Sequence, residues 1–352
     1  MSATPRGQYL PRNPLCHNLL TFGFVNSASQ KFFKRLTNFR MDLLKKLEEL
    51  ISLGRFDEAF QLILSEAPND LKPLIERSIT QPDEIKKIDG FWKDVTLLVH
   101  LSYSSNALSK EIDNQSLVSC VVASVNAVKL ANELGVRSIA PKMMRNAGRA
   151  LSLMNMKDRA ERMLVEAERV CLEIGKKDEL LGIYNDLSTL YFEEGKYLEA
   201  KEKIESAMKI AENRTDYEAI NSFSIAAEVY TKLGEFEKAE QNYKRAETLL
   251  RELVKKEESD KLDLGVLLSN YAIFCKKVGK FDLAEKMLLE SLKIFEELEK
   301  LDFSFAQFVA TNLRHLGDLY RETKRFEEAE KFYAKSREKF REIQGRWESF
   351  GS

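Results

Sequence analysis

From about residue 140 onward the apolar positions fall into paired stripes. The first stripe of each pair has i, i+3, i+4, i+7 spacing, in Tyr184/Leu187/Ser188/Tyr191, Phe223/Ala226/Ala227/Tyr230, Leu268/Tyr271/Ala272/Cys275 and Leu313/Leu316/Gly317/Tyr320. That spacing places all four side chains on one face of a helix. Each stripe leads into a second pattern: Gly, any residue, an aromatic, two residues, Ala, an apolar residue four further on, then Ala or Ser. It reads Gly195/Tyr197/Ala200/Ile204/Ala207, Gly234/Phe236/Ala239/Tyr243/Ala246 and Gly279/Phe281/Ala284/Leu288/Ser291. A fourth copy replaces Gly with Lys324 and continues Phe326/Ala329/Tyr333/Ser336. Each unit therefore predicts a helix, a turn and a second helix.

The residue types suit that arrangement. A turn glycine reaches positive φ and ends the first helix without a Cβ clash. The aromatic after it is expected to plug the top of the hairpin. The small residue of the first helix (Ser188, Ala227, Ala272, Gly317) is expected to face the Ala of the second (Ala200, Ala239, Ala284, Ala329), letting the backbones approach. The later Ala or Ser is expected to make room for the next unit.

These residues resemble the tetratricopeptide repeat. Two further units fit less well: Met144/Ala147/Gly148/Leu151 leads into Ala160/Leu164/Ala167 with Lys157 in place of the aromatic, and Gly54/Phe56/Ala59/Ile63 fits a unit beginning near Met41. Between them, residues 83–135 read as helical but degenerate, with Cys120, Ser124 and Ala127 near the expected places. The repeat Ala position falls at 120 (Cys), 160, 200, 239, 284 and 329, in steps of 40, 40, 39, 45 and 45. The usual period is about 34, so the resemblance is to the long-helix relatives, such as kinesin light chain and the soluble fusion-protein attachment proteins. It implies an all-α fold: an α-solenoid of antiparallel helix pairs wound into a right-handed superhelix. The expected organisation is a leader over 1–40, degenerate helical repeats over 41–139, regular repeats with a terminal helix over 140–343, and a tail over 344–352.

Proline placement supports long helices. All seven prolines lie at or before Pro141, and proline breaks helix interiors. Lys+Arg is 55 against Asp+Glu 56, a balance that argues against nucleic-acid binding by the chain as a whole. Residues 1–40 differ, with Arg6, Arg12, Lys31, Lys34, Arg35 and Arg40 and no acidic residue. They read as a misassigned start before a helix opening at Met41, as a disordered leader, or as a targeting or nucleic-acid-contacting segment. Cys16, Cys120, Cys171 and Cys275 form no C-x-x-C pair and read as reduced core thiols of a cytoplasmic protein. His17, His100 and His315 lack helical ligand spacing, so no metal is expected. No stretch approaches the ~20 apolar residues of a membrane span.

No nucleophile–base pair, phosphate loop or paired-carboxylate motif stands out, so no enzyme, catalytic residue or cofactor is expected. The Glu and Lys residues spaced four apart read as solvated helix faces. The resemblance places the useful surface in the concave groove lined by the first helix of each unit. Residues offset from the buried stripe are the candidates: Lys142, Arg145 and Arg149; Asn185; Asn221 and Ser224; Ser269 and Lys276; and Arg314 and Arg321. Arg145 and Arg149 lie one turn apart and suit a carboxylate, and Asn suits the backbone of an extended peptide. Chaperone-tail clamps of this family use Lys and Asn one turn apart, then Asn, then Lys and Arg one turn apart. Here Arg145, Arg149 and Asn185 echo the first parts only loosely, and Asn221 and Ile225 stand where the basic pair would be. Chaperone-tail binding is therefore not expected. The function expected is that of a scaffold or adaptor holding a protein partner's peptide or helix in the groove. The alternative is a ligand- or peptide-responsive module acting on a separate effector.

Overall fold

What ends one helix of each pair also starts the next. In this computed structural model the turn positions Gly195, Gly234 and Gly279 have φ of 77°, 78° and 78°, and Asn155 (58°) and Lys324 (60°) occupy the same place in the flanking units. Just after each, a backbone N–H reaches back five residues: Met156 to Leu151 O, Lys196 to Tyr191 O, Glu235 to Tyr230 O, Lys280 to Cys275 O and Arg325 to Tyr320 O, all at 2.8–2.9 Å. This is the Schellman closure, which satisfies a carbonyl that the finished helix leaves open. The carbonyl of that same residue then accepts from the repeat alanine, Ala160, Ala200, Ala239, Ala284 or Ala329. One residue thus closes the first helix and opens the second.

The structure describes residues 55–78, 114–133, 137–255 and 261–350, with scattered positions between 43 and 99 besides. The leader expected over residues 1–40 lies outside the described residues. The described helices are α1 (Phe56–Glu66), α2 (Lys72–Ser78), α3 (Asn114–Glu133), α4 (Ala140–Leu153), α5 (Lys157–Ile174), α6 (Lys177–Glu193), α7 (Tyr197–Ala211), α8 (Tyr217–Leu233), α9 (Phe236–Val254), α10 (Lys261–Lys277), α11 (Phe281–Leu301), α12 (Ala306–Glu322) and α13 (Phe326–Phe350). No strand occurs among the described residues. The fold is an all-α solenoid of helix pairs. It divides into two compact units between Leu190 and Tyr191, in the last turns of α6.

In the first unit Leu47, Ala59, Ile63, Ile75, Ile88 and Trp92 share one buried cluster around α1 and α2. Cys120, Ser124 and Ala127 of α3 are buried as their repeat-like spacing predicts. Helix α4 packs between α3 and α5. In the second unit each helix from α7 to α13 packs on the next. Its centre is aromatic: Tyr243 of α9 stacks on Tyr271 of α10 at 4.8 Å between ring centroids and 5° between planes. Asp216 caps α8 by accepting from the Ala219 N–H at 3.2 Å.

The repeat alanines are buried as expected, but three packing details differ from the sequence expectations. At Gly148 and Gly317 the small residue of the first helix makes room chiefly for the larger residue four positions beyond the repeat Ala, although Gly148 also faces the Ala160 carbonyl at 3.5 Å. A Cβ added at Gly148 or Gly317 would stand 2.7 Å from Leu164 or from the Tyr333 ring. The turn aromatic plugs its own hairpin at Tyr197, which meets Phe192 edge-on at 5.5 Å between ring centroids, but not in the later units. Phe236 and Phe281 are 36% exposed and Phe326 is 64% exposed, and Phe236 leans towards Phe274 of the following pair, 6.3 Å away. The later Ser binds its own pair instead of only clearing space. Ser291 Oγ donates to Gly265 O at 2.7 Å and Ser336 Oγ to Ala310 O at 2.8 Å. Ser291 also accepts from Asn312 Nδ2 of the next pair at 2.6 Å.

Candidate partner-binding face

The first helix of each pair turns one side into the core and leaves the offset residues outside it. In the first unit this side of α4 carries Lys142, Arg145 and Arg149. Arg145 Nε donates to Asp186 Oδ2 of α6 at 2.6 Å, and Arg149 Nε lies 3.8 Å from Asp186 Oδ1. The three side chains are 12–14% exposed. Two cations therefore share one carboxylate in a largely desolvated place. Gly182 makes the arrangement possible, because a Cβ there would collide with the Arg145 guanidinium. Arg149 Nε and Asn146 Nδ2 are buried without a hydrogen-bond acceptor.

The carboxylate that Arg145 and Arg149 suit is thus the chain's own Asp186, which corrects their reading as groups offered to a partner. Asn185 is corrected too, since it is fully buried and presents nothing to a ligand in this arrangement. Each residue step turns a helix by about 100°, so Asp186, one step on, takes the place expected of Asn185.

In the second unit the corresponding side belongs to α8, α10 and α12. Asn221 and Ser224 are half-buried, and Ser224 Oγ donates back to Ile220 O at 3.1 Å. Glu228, one turn on, accepts from Asn270 Nδ2 of α10 at 2.8 Å. Burial pushes its carboxyl up to about 7, against the opposing pull of Asn270 and Lys232. Ser269 is half-buried and Ile273 is exposed. Lys276 is paired with Glu322 of α12 at 2.8 Å. Arg314 and Arg321 are exposed, Arg321 lying 3.7 Å from Asp318. Burial pushes His315 down to about 4, with Arg314 acting in the same direction, so it is neutral at ordinary pH.

Asp186, Asn270 and His315 were missed as candidates. They share one position, two residues before the small residue of each first helix. That column is visible in the sequence once the repeats are aligned, but its chemistry varies from repeat to repeat.

The described thiols are poor nucleophiles. Burial pushes Cys120 up to about 11 and Cys171 and Cys275 up to about 12, and the thiolate is the reactive form. Among the described residues no group of three or more His, Cys, Asp or Glu is placed to hold a metal ion, and no helix is long and apolar enough to cross a membrane.

A family model described as tetratricopeptide repeat matches residues 179–252 and 263–342. These segments are tetratricopeptide repeats. The matches take in α6–α9 and α10–α13, where the turn and alanine pattern is most regular. Among solved structures, BtubC (BKLC) from P. vanneervenii is 20% identical, with a TM-score of 0.55 over 67% of this chain and 94% of that one. A signal-transduction ATPase with numerous domains and a tetratricopeptide repeat sensor, from Pyrococcus horikoshii, is 15% identical, with a TM-score of 0.51 over 87% of this chain and 47% of that one. At these identities the likeness is one of fold. No curated protein matches the chain significantly.

Proposed function

We propose that the chain is a scaffold or adaptor whose tetratricopeptide repeats hold a segment of a partner protein against the face formed by their first helices. The observation that carries this reading is the second unit's face, where the exposed Ile273 stands between the half-buried Glu228–Asn270 pair and the exposed Arg314. An apolar contact ringed by orienting polar groups is the usual anatomy of a recognition surface. The free, buried thiols of Cys120, Cys171 and Cys275 support a reducing, cytoplasmic setting.

Site-directed photo-crosslinking in native lysate tests the reading. A crosslinker at Ile273 is expected to capture a partner that one at Leu289, exposed on a second helix, does not. Ile273→Arg is expected to abolish that capture in a chain that still folds. Capture from Leu289 alone would place the partner on the other side of the repeats and overturn the proposal.

A further inference from the structure

The second unit's face carries six ionisable groups at the offset positions of its first helices: Glu228, Lys276, Arg314, His315, Asp318 and Arg321. Four are already accounted for. Lys276 is paired with Glu322, and Asp318 lies beside Arg321 and accepts from Tyr333 OH at 2.7 Å. His315 is held neutral by burial. Glu228 and Arg314 remain, with no ion pair to either among the described residues. They sit at opposite ends of the face, on α8 and α12, with Ile273 of α10 between them.

Glu228 is the more telling of the two. Asn270 holds one of its oxygens, and that partner is neutral. The charged and titratable groups acting on it are Lys232 of its own helix and Tyr243 of α9, while α10 contributes only Asn270. Lys232 is exposed, with its ammonium 5.9 Å from the Phe192 ring centroid. A desolvated carboxylate without a cation is costly, and a cation brought by a partner removes that cost.

Resting on the proposed function, we infer that this face takes an extended, bipolar peptide segment: a Lys or Arg over Glu228, an apolar side chain on Ile273 and an Asp or Glu at Arg314. Packed helices lie about 8–10 Å apart, so α8 to α12 spans roughly 20 Å. An extended chain rises about 3.3 Å per residue, which separates the basic and acidic residues by about six positions, with the apolar residue midway. Such a partner is selected by charge order as well as by apolar contact, and segments with the wrong sign at either end are rejected. The bound cation also favours the ionised form of Glu228, so binding releases a proton. Affinity is expected to rise about tenfold between pH 6 and 8.

The probe is a displayed library of random peptides of about 12 residues, long enough to cross three helices, selected on the full chain. Enriched sequences are expected to carry opposite charges about six positions apart, in one chain direction. Selection on Glu228→Lys should invert the preference at the basic end only, and selection on Arg314→Glu should invert it at the acidic end only. Glu228→Gln, the milder change, should lose the basic preference and the pH dependence while the chain stays folded by thermal melt. If the enriched peptides depend on Ile273 but ignore both charge variants, the bipolar inference is overturned and the face still binds. If they ignore Ile273→Arg as well, or if nothing is enriched, the proposed function fails with it.

Discussion

Asn270 Nδ2 donates to Glu228 Oε1 at 2.8 Å, and this bond joins the first helices of two successive repeats. Glu228 follows the small residue of its helix by one position, and Asn270 precedes the small residue of its own by two. Arg149 and Asp186 occupy the same two positions in the first unit, 3.8 Å apart. One helix-to-helix register thus brings together an acid and an amide in one place and two opposite charges in the other.

The Glu228 pairing has a pH signature. The carboxyl is raised from 4.5 to about 7 by burial, so the folded state holds its proton more tightly than the unfolded state does. Its contribution favours folding most at low pH and is lost as pH rises from about 4.5 through 7. With the side chain partly open to solvent, the loss is expected to be about 1–2 kcal/mol. Urea melts of the parent and Glu228→Gln at pH 5 and pH 8 read this directly. The parent should lose stability relative to the variant between the two; a constant difference would show that Glu228 titrates normally.

The shared carboxylate of the first unit makes a second prediction. Replacing Asp186 by Ala leaves Arg145 and Arg149 together, largely desolvated, without their counter-ion. The expected cost is about 2–4 kcal/mol, since removing one partner of a buried pair strands the rest. Arg145→Glu with Arg149→Glu is expected to be worse, because it sets two carboxylates against Asp186. A double variant that melts like the parent would show that these groups are solvated in solution.

The turn at Lys324 carries a third. A non-glycine residue at positive φ costs roughly 1 kcal/mol, and at the equivalent Gly234 and Gly279 an added Cβ would have no atom within 4 Å. Lys324→Gly is therefore expected to stabilise the last pair by up to about 1 kcal/mol, less the added freedom of glycine in the unfolded chain. Denaturant midpoints measure it, and a loss would mean that the Lys324 side chain makes contacts worth more than the strain.

These cases separate what the sequence makes legible from what it does not. The Gly–aromatic–Ala string, the first-helix stripes and the burial of Ala200 or Ala239 follow from spacings within about ten residues, where helical periodicity is decisive. Partners between repeats lie some 40 residues apart and depend on how one pair sits on the next. Lys201 pairs with Glu235, Glu240 with Lys280 and Glu285 with Arg325, at 2.6–2.7 Å. Each joins the residue after a repeat Ala to the residue before the next turn aromatic. The positions repeat but the sign reverses in the first, so no motif in residue type marks them. Asn185 fell on the wrong side for a related reason: a one-residue error in register is a large rotation on a helix, enough to exchange a fully buried amide for a carboxylate that is 14% exposed.

The last prediction uses one substitution at two places. Gly317 lies where α12 and α13 cross, and a Cβ there would stand 2.7 Å from the Tyr333 ring. Tyr333 cannot simply swing aside, because its hydroxyl donates to Asp318 at 2.7 Å. Gly317→Ala must push the helices apart or break that bond, and a cost of about 1–3 kcal/mol is expected. Gly345 is an exposed helical glycine in α13 with nothing within 4 Å of the added Cβ. There the same change meets no neighbour and removes backbone freedom from the unfolded chain, so a gain of about 0.5–1 kcal/mol is expected. Melts of the two single variants beside the parent should move in opposite directions. A Gly317→Ala variant as stable as the parent would mean that the close crossing of α12 and α13 can relax, and that the small residue in the first helix is not needed for it.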